Sequence, residues 1–479
     1  MPSLGKKNAK GKLILVSNRE PYSHHLRKEK IVCQSTGGSL VSVLDPLMQE
    51  RGNTWIAWGS GNADFNVTDS HQRVHVPEEK PLYWLRRIKL SEKEVRDYYV
   101  GFSNRTLWPL VHLMVDKVQF NNDYWNVYKE VNERFANITV EQFKKNDFVW
   151  VQDYQLALVP SLIRKKRKKA KIAFFFHLPW PPWEIFRILP QKREILNGIL
   201  GADLIGFHTD SYVRNFLDCV REEFNLKPDN ESITFRKRKI LCKAFPLGVD
   251  FDGFRKNSEL RKPAEVAKEI RKSINTEFMF LGVDRLDYSK GIPQKLNAFN
   301  AFLKKHPSFN KRVVLVQILT PSRSRTKEYN ELEKEIDFLT GKINGEYQKL
   351  FWVPIRCLDR FVPKERLLGY YKAADVALVT PLIDGMNLVA KEFIASKKDN
   401  NAVLILSDFA GAAKELKGAI RVNPFDENSM VEAIKKALTM KPETKRKKFK
   451  LMKKQLQEKD IYFWLNSFLN EWEQVYKEN

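Results

Sequence analysis

Two stretches in the second half of the chain hold charged side chains at spacings that suit a phosphorylated sugar. In FMFLGVDRLDYSKG, Arg285 and Lys290 stand five residues apart in a loop that ends at Gly291. A guanidinium fork and a point-charge ammonium on one short loop can straddle a diphosphate. In VALVTPLIDGMNLVAKEFIAS, Val376 to Ser396, a short apolar run gives way to a turn punctuated by Pro381 and Gly385. A helix-like run follows, with Leu388, Val389, Phe393 and Ile394 expected on one side. A strand, a tight turn and a helix start leave backbone N–H groups pointing outward at the positive end of a helix, which suits phosphate. Asp384 lies in the turn, and Glu392 lies about two helical turns further on. Carboxylates would repel a phosphate, so these two are expected to accept hydrogen bonds from hydroxyls. Phosphate and hydroxyls together imply a nucleotide sugar. The same stretch also reads as a plain helix start with solvent-facing acids, and the rest of the chain decides between the two.

The first half offers further polar residues at the ends of apolar runs. LILVSNR ends at Arg19, DFVWVQD at Asp153, and KIAFFFH at His177, ahead of a loop stiffened by Pro179, Pro181 and Pro182. Gly37 and Gly38 sit between a polar loop, EPYSHHLRKEK, and an apolar helix-like segment, where glycine lets backbone approach a ligand closely. RDYYVGFSNRTLWPL carries Tyr99 and Trp108, which on composition alone read as packing. VVLVQILTPSRSR leads to Arg323 and Arg325, and AVLILSDFAGAAKEL reads as strand, turn and helix with Gly411 near the helix start. The acidic triplet Asp250, Phe251, Asp252 is spelled like a metal site of sugar transferases, but three-letter matches arise easily by chance and it is read as a linker turn.

The elements that must position these residues alternate strand and helix twice over, with a charged amphipathic segment after residue 255 separating the halves. That alternation predicts two doubly wound parallel-sheet domains. In such sheets ligands lie beyond the carboxyl ends of strands. Arg19, Asp153, His177, Arg285, Arg323 and Asp384 all fall there, which makes a cleft between the domains the expected site. At 479 residues, more than one core is expected. No apolar run approaches the ~20 residues of a membrane span, and LILVS reads as a strand rather than a signal sequence. Four scattered cysteines with no CxxC pair point to a reducing cytoplasm and away from a cysteine-rich zinc site. The net charge is +25, and the densest basic runs are IRKKRKK and TKRKKFKLMKK. Neither run is interleaved with the aromatics of a single-strand binder, so anionic, phosphorylated substrates are expected rather than nucleic acid or membrane.

RLDYSKG, GFSNRTLWP, DGMNLVAKE, FAGAAKEL and FPLGVD together resemble the trehalose-6-phosphate synthases, retaining glycosyltransferases of the two-domain GT-B architecture. The resemblance runs from about residue 12 to the last helix. It implies an α/β fold of two Rossmann-like domains facing across a cleft. Residues 1–250 would bind the acceptor and 251–459 the nucleotide sugar, with a C-terminal helix, 460–479, returning to the first domain. It implies transfer of glucose from a nucleoside-diphosphate glucose, UDP-glucose foremost, to glucose 6-phosphate. By motif, Arg285 and Lys290 match the pair on the donor diphosphate. Asp384, Gly385, Met386, Asn387, Leu388, Val389 and Glu392 match the donor glucose and ribose contacts, and Gly37 and Gly38 the loop over the donor. Arg19, Tyr99, Trp108 and Arg323 match the acceptor pocket, Asp153 an acceptor-hydroxyl contact, and His177 a residue beside the transferred glucose. Asp153 and His177 thus join Arg285 and Lys290 as the catalytic set.

Many relatives have histidine where this chain has Gln152 and Gln155. The resemblance further implies retention without an enzyme nucleophile, the leaving diphosphate taking the proton of the incoming hydroxyl. No metal and no cofactor are expected. The donor nucleotide and any homo-oligomer are left open. A glucosylglycerol-phosphate synthase is the neighbouring reading. A non-catalytic sugar-phosphate sensor is another, although such relatives usually lose the donor-site residues present here.

Overall fold

The computed structural model describes residues 11–36, 41–51, 54–321 and 327–476. The chain divides into two compact units, one running to Pro246 and resuming at Trp464, the other spanning Leu247–Phe463.

The described strands of the first unit are β1 (Leu13–Arg19), β2 (Tyr22–Arg27), β3 (Lys30–Ser35), β4 (Thr54–Trp58), β5 (Arg73–Val76), β6 (Tyr83–Ile88), β7 (Phe148–Gln152), β8 (Lys171–Phe175), β9 (Leu204–Phe207), β10 (Ser232–Phe235) and β11 (Arg238–Ala244). All but β2 and β3 form one sheet, ordered β10-β11-β9-β8-β7-β1-β4-β6-β5. Only the edge strands β10 and β5 are antiparallel to their neighbours. Leu15, Trp150, Ala173 and Leu204 lie in register across the middle. These strands are apolar runs because helices cover both faces and leave no side for water. One cover is the final helix, Ile461–Val475. Trp464, Phe468 and Trp472 recur every fourth residue, so they share one stripe. They close on Trp150, whose ring stacks on Phe468 at 4.5 Å. That packing accounts for the helix's heavy aromatic face.

EPYSHHLRKEK, expected as a loop, is instead most of an antiparallel hairpin, with β2 and β3 paired from Tyr22–Ser35 to Arg27–Lys30. Its two-residue turn uses Lys28 and Glu29 at φ 45° and 65°. Both positions lie in the region that hairpin turns usually fill with Asn-Gly. The turn therefore carries none of the usual sequence punctuation.

The second unit contains β12 (Phe278–Arg285), β13 (Val313–Thr320), β14 (Ile355–Asp359), β15 (Val376–Val379), β16 (Val403–Ser407) and β17 (Ile420–Val422). They form a wholly parallel sheet ordered β14-β13-β12-β15-β16-β17. Chain order thus reverses between β12 and β15, as it reverses in the first unit between β1 and β7. These reversals are the switch points where doubly wound sheets open a crevice for ligands. Phe280, Leu315, Leu378 and Ile405 build the core with Phe299 and Phe302 of the helix Ile292–Lys305.

Two expectations in this unit change. After β16 there is one 3₁₀ turn, Gly411–Lys414, rather than a helix. On the helix Leu388–Ser396 the expected apolar side splits: Phe393 and Ile394 are buried, while Leu388 and Val389 are half-exposed. The Asp250–Asp252 triplet opens a helix, Phe251–Glu259. Asp250 caps it by accepting from Gly253 N–H at 2.9 Å, and Asp252 pairs with Arg255. Among the described residues no helix is long and apolar enough to cross a membrane.

Candidate active site

In the first unit, the residues expected to meet the acceptor lie at the switch point in two pairs. Arg19 is the last residue of β1, and its Nη2 donates to the hydroxyl of Tyr99 at 2.9 Å. Tyr99 comes from a wide helical segment, Val95–Leu107, and packs on Trp58 at the end of β4. Asp153 follows β7 directly, and its carboxylate accepts the amide N–H of His177 beyond β8 at 3.1 Å. Asp153 adopts φ +72°, a region costly for a residue with a Cβ. Trp108 lies 5.8 Å from the ring of Tyr154, the residue next to Asp153.

His177 is held in one protonation state. Its Nε2 lies 2.9 Å from Oε1 of buried Gln152, which can only accept, so the ring carries its proton there. Burial, and secondly the neighbouring His208, push its pKa well below the ordinary 6.5. The imidazole is therefore neutral at physiological pH.

Beneath Arg19 lies a buried ionic network that sequence reasoning missed. Arg87 of β6 donates to Glu20 through Nε at 2.8 Å and to the Asp64 carbonyl at 2.7 Å. It also donates to the Tyr22 carbonyl at 3.0 Å and to His24 Nδ1 at 2.8 Å. Glu20 takes the amide of Ser60 as well. One guanidinium thus ties the root of the β2–β3 hairpin to the residue after Arg19. Burial, then the bond with Asp64, push the Glu20 carboxyl up to about 8. Burial alone would also raise Asp64, but bonds from His24 and Glu20 and the Arg87 charge hold it below its usual range. These residues lie up to 67 positions apart, with no periodic spacing to reveal them.

In the second unit the switch point brings Lys290, beyond β12, onto Asp384, beyond β15, at 2.7 Å. Expected separately on phosphate and hydroxyl, the two form an ion pair. Asn387 donates to the same carboxylate at 3.1 Å and caps the helix Leu388–Ser396 from a left-handed conformation. Arg285, at the end of β12, lies 3.4 Å from Asp287 with half its side chain exposed, whereas the Lys290 side chain is 11% exposed. Glu392 accepts from Tyr371 at 2.9 Å. The Asp384 turn is stitched to the 3₁₀ turn after β16. Asp384 N donates to Phe409, Gly411 N to Asp384 O, and Ala412 N to Met386 O. A Cβ on Gly411 would stand 2.1 Å from the Gly385 carbonyl oxygen, so only glycine fits. Gly37, Gly38 and Arg323 lie outside the described residues.

Among the described residues, His24, Cys33 and Glu78 bring potential metal-ligand atoms within 4.8 Å of one another. The donor chemistry does not fit an ion. Arg87 occupies His24 Nδ1, which leaves the ring proton on Nε2, and burial and Glu78 push the Cys33 thiol up to about 11.

Two doubly wound units, each with its polar residues gathered beyond the carboxyl ends at a switch point, define the GT-B class. Residues 11–474 match the model for glycosyltransferase family 20, and the chain belongs to that family. It is 38% identical to the alpha,alpha-trehalose-phosphate synthase [UDP-forming] of Candida albicans, over 96% of this chain and 97% of that protein. It is equally 38% identical to the alpha,alpha-trehalose-phosphate synthase [UDP-forming] A of Dictyostelium discoideum, over 96% of this chain but only 62% of that longer protein. The crystal structure of the Burkholderia xenovorans alpha,alpha-trehalose-phosphate synthase in complex with glucose-6-phosphate superposes with a TM-score of 0.86 at 31% identity, covering 97% of this chain and 100% of that one.

Proposed function

We propose that this chain transfers glucose from UDP-glucose to glucose 6-phosphate, giving trehalose 6-phosphate and UDP with the α configuration kept. The observation that carries the reading is the switch point of the second unit, where Lys290 pairs with Asp384 and Arg285 ends β12 five residues before Lys290. A diphosphate bound there meets two cations and a helix start, and the sugar hydroxyls meet Asp384 and Glu392. Two relatives support the donor and the acceptor: the Candida albicans enzyme is UDP-forming, and the Burkholderia xenovorans enzyme is in complex with glucose-6-phosphate.

In this reading Arg19 takes the acceptor phosphate, with Tyr99 holding the guanidinium in place. Trp108 packs against the acceptor sugar, and Asp153 accepts from an acceptor hydroxyl. Neutral His177 stands beside the transferred glucose. The bond from C1 of glucose to the phosphate oxygen breaks while the bond from C1 to the acceptor oxygen forms on the same face. The acceptor's proton passes to the departing phosphate oxygen. No side chain becomes a nucleophile, unlike in the retaining glycosidases. The protein contributes alignment and stabilisation of the charge growing on UDP. A reducing cytosol suits the same reading, because all four cysteines are unpaired.

Arg285→Ala tests the reading in a UDP-release assay. Loss of one such charge contact should cost ~10²–10³ in turnover. Near-wild-type turnover would contradict the role.

A further inference from the structure

The basic run IRKKRKK plays no part in the proposed transfer, and the fold places part of it in a cavity of its own. At the amino-terminal end of the first unit's sheet, Arg164, Lys165, Lys168, Arg236 and Arg238 line a cavity of about 440 Å³ together with Phe235. Asp203, just before β9, accepts from Arg164 at 2.7 and 2.6 Å and from Arg238 at 3.0 Å. One carboxylate therefore serves two guanidiniums. Burial, then the charge of Arg164, lower the pKa of Arg238, as expected where cations are in excess. Among the described residues the ammonium groups of Lys165 and Lys168 make no hydrogen bond or ion pair with the protein, although the Lys168 carbonyl accepts from Arg164 at 2.9 Å.

Cations at a helix C-terminus complement its dipole, and the helix Val159–Lys166 ends here. That explains Lys165 but not Arg236, which comes from the hairpin turn between β10 and β11. Arg236 and Lys237 occupy φ 50° and 66°. Each costs on the order of 1 kcal/mol relative to glycine in such a turn. Arg236 lines the cavity from this turn, with its guanidinium 5.1 Å from the Phe235 ring.

We infer that this cavity binds a small phosphorylated molecule, such as a sugar phosphate or a nucleotide, at a site distinct from the transfer site. Its volume falls within the ~300–1,000 Å³ of small-molecule pockets. It is a concave site with a charge surplus, which favours a compact polyanion over a polymer. Asp153 and His177 follow the opposite ends of the same strands, on the order of 15 Å away along β8.

The test is calorimetric titration of the full chain, held in saturating UDP, with ATP, ribose 5-phosphate and inorganic phosphate in separate arms. The arms separate nucleotide, sugar phosphate and bare phosphate. At least one should bind the wild type tenfold or more tighter than the Lys165→Ala/Lys168→Ala/Arg236→Ala variant, with unprobed turnover and UDP affinity the same in both. Arg236→Gly removes a charge and relieves the turn, so it should bind the same probe several-fold more weakly while melting no lower than wild type. Equal affinities across wild type and variants would overturn the site. So would a single-stranded oligonucleotide that binds the same residues more tightly than any small phosphate.

Discussion

At the scale of single residues, the imidazole of His177 has its charge set from several sides. Gln152 fixes the proton on Nε2, burial and His208 disfavour a second proton, and one oxygen of the Asp153 carboxylate takes the backbone amide of His177. A carboxylate in place of the Gln152 amide would favour the charged ring instead. Gln152→Glu should therefore raise the His177 pKa, seen as an upward shift of its imidazole titration by NMR, and should move the acidic limb of the turnover profile to higher pH. An unchanged titration would show that Gln152 does not govern the ring. The residues at strand ends were legible beforehand because a strand buried on both faces reads as an apolar run that stops at a polar residue. Arg19, Asp153, His177 and Arg285 were found that way. Gln152 was noticed only as a departure from relatives, since its bond crosses two strands that the sequence does not juxtapose.

At the scale of elements, the second unit's switch point, proposed to hold the donor, rests on two loops sewn together by backbone. Gly411 lies against the Gly385 carbonyl, and Gly411→Ala would force the Asp384 turn away. The expected outcome is a donor KM raised tenfold or more, with the acceptor KM little changed. Equal effects on both would mean general unfolding rather than a local shift. The hairpin after Arg19 has its own signature in pH. Folded Glu20 holds its proton up to about 8, whereas an unfolded glutamate releases it near 4.5. Between those values the folded chain binds the extra proton, so stability falls as pH rises through that window. Glu20→Gln removes the titration. The drop in melting temperature from pH 5 to pH 8.5 should be smaller in the variant than in the wild type, and an identical drop would exclude Glu20 as its source. Neither the hairpin nor this network was legible. The turn uses Lys28 and Glu29 where punctuation is usual, and β3 is largely exposed, so it lacks the alternation of a half-buried strand.

At the scale of the whole molecule, the alternation of strand and helix was enough to predict two parallel-sheet units. The resemblance implied that the final helix returns to the first domain, and Trp150 is what its aromatic stripe meets there. Strand order could not be read from periodicity, because every buried parallel strand looks alike to a hydropathy pattern. That order matters most for function, since it creates the two switch points. One gathers Arg19 and Asp153 at the ends of β1 and β7, and the other gathers Lys290 and Asp384 beyond β12 and β15. The most direct test of the account is product analysis by NMR after incubating the purified chain with UDP-glucose and either glucose 6-phosphate or glycerol 3-phosphate. Trehalose 6-phosphate with an α,α linkage, formed only with the first acceptor, is the expected result. Glucosylglycerol phosphate as the main product, or UDP-glucose left intact with both acceptors, would contradict it.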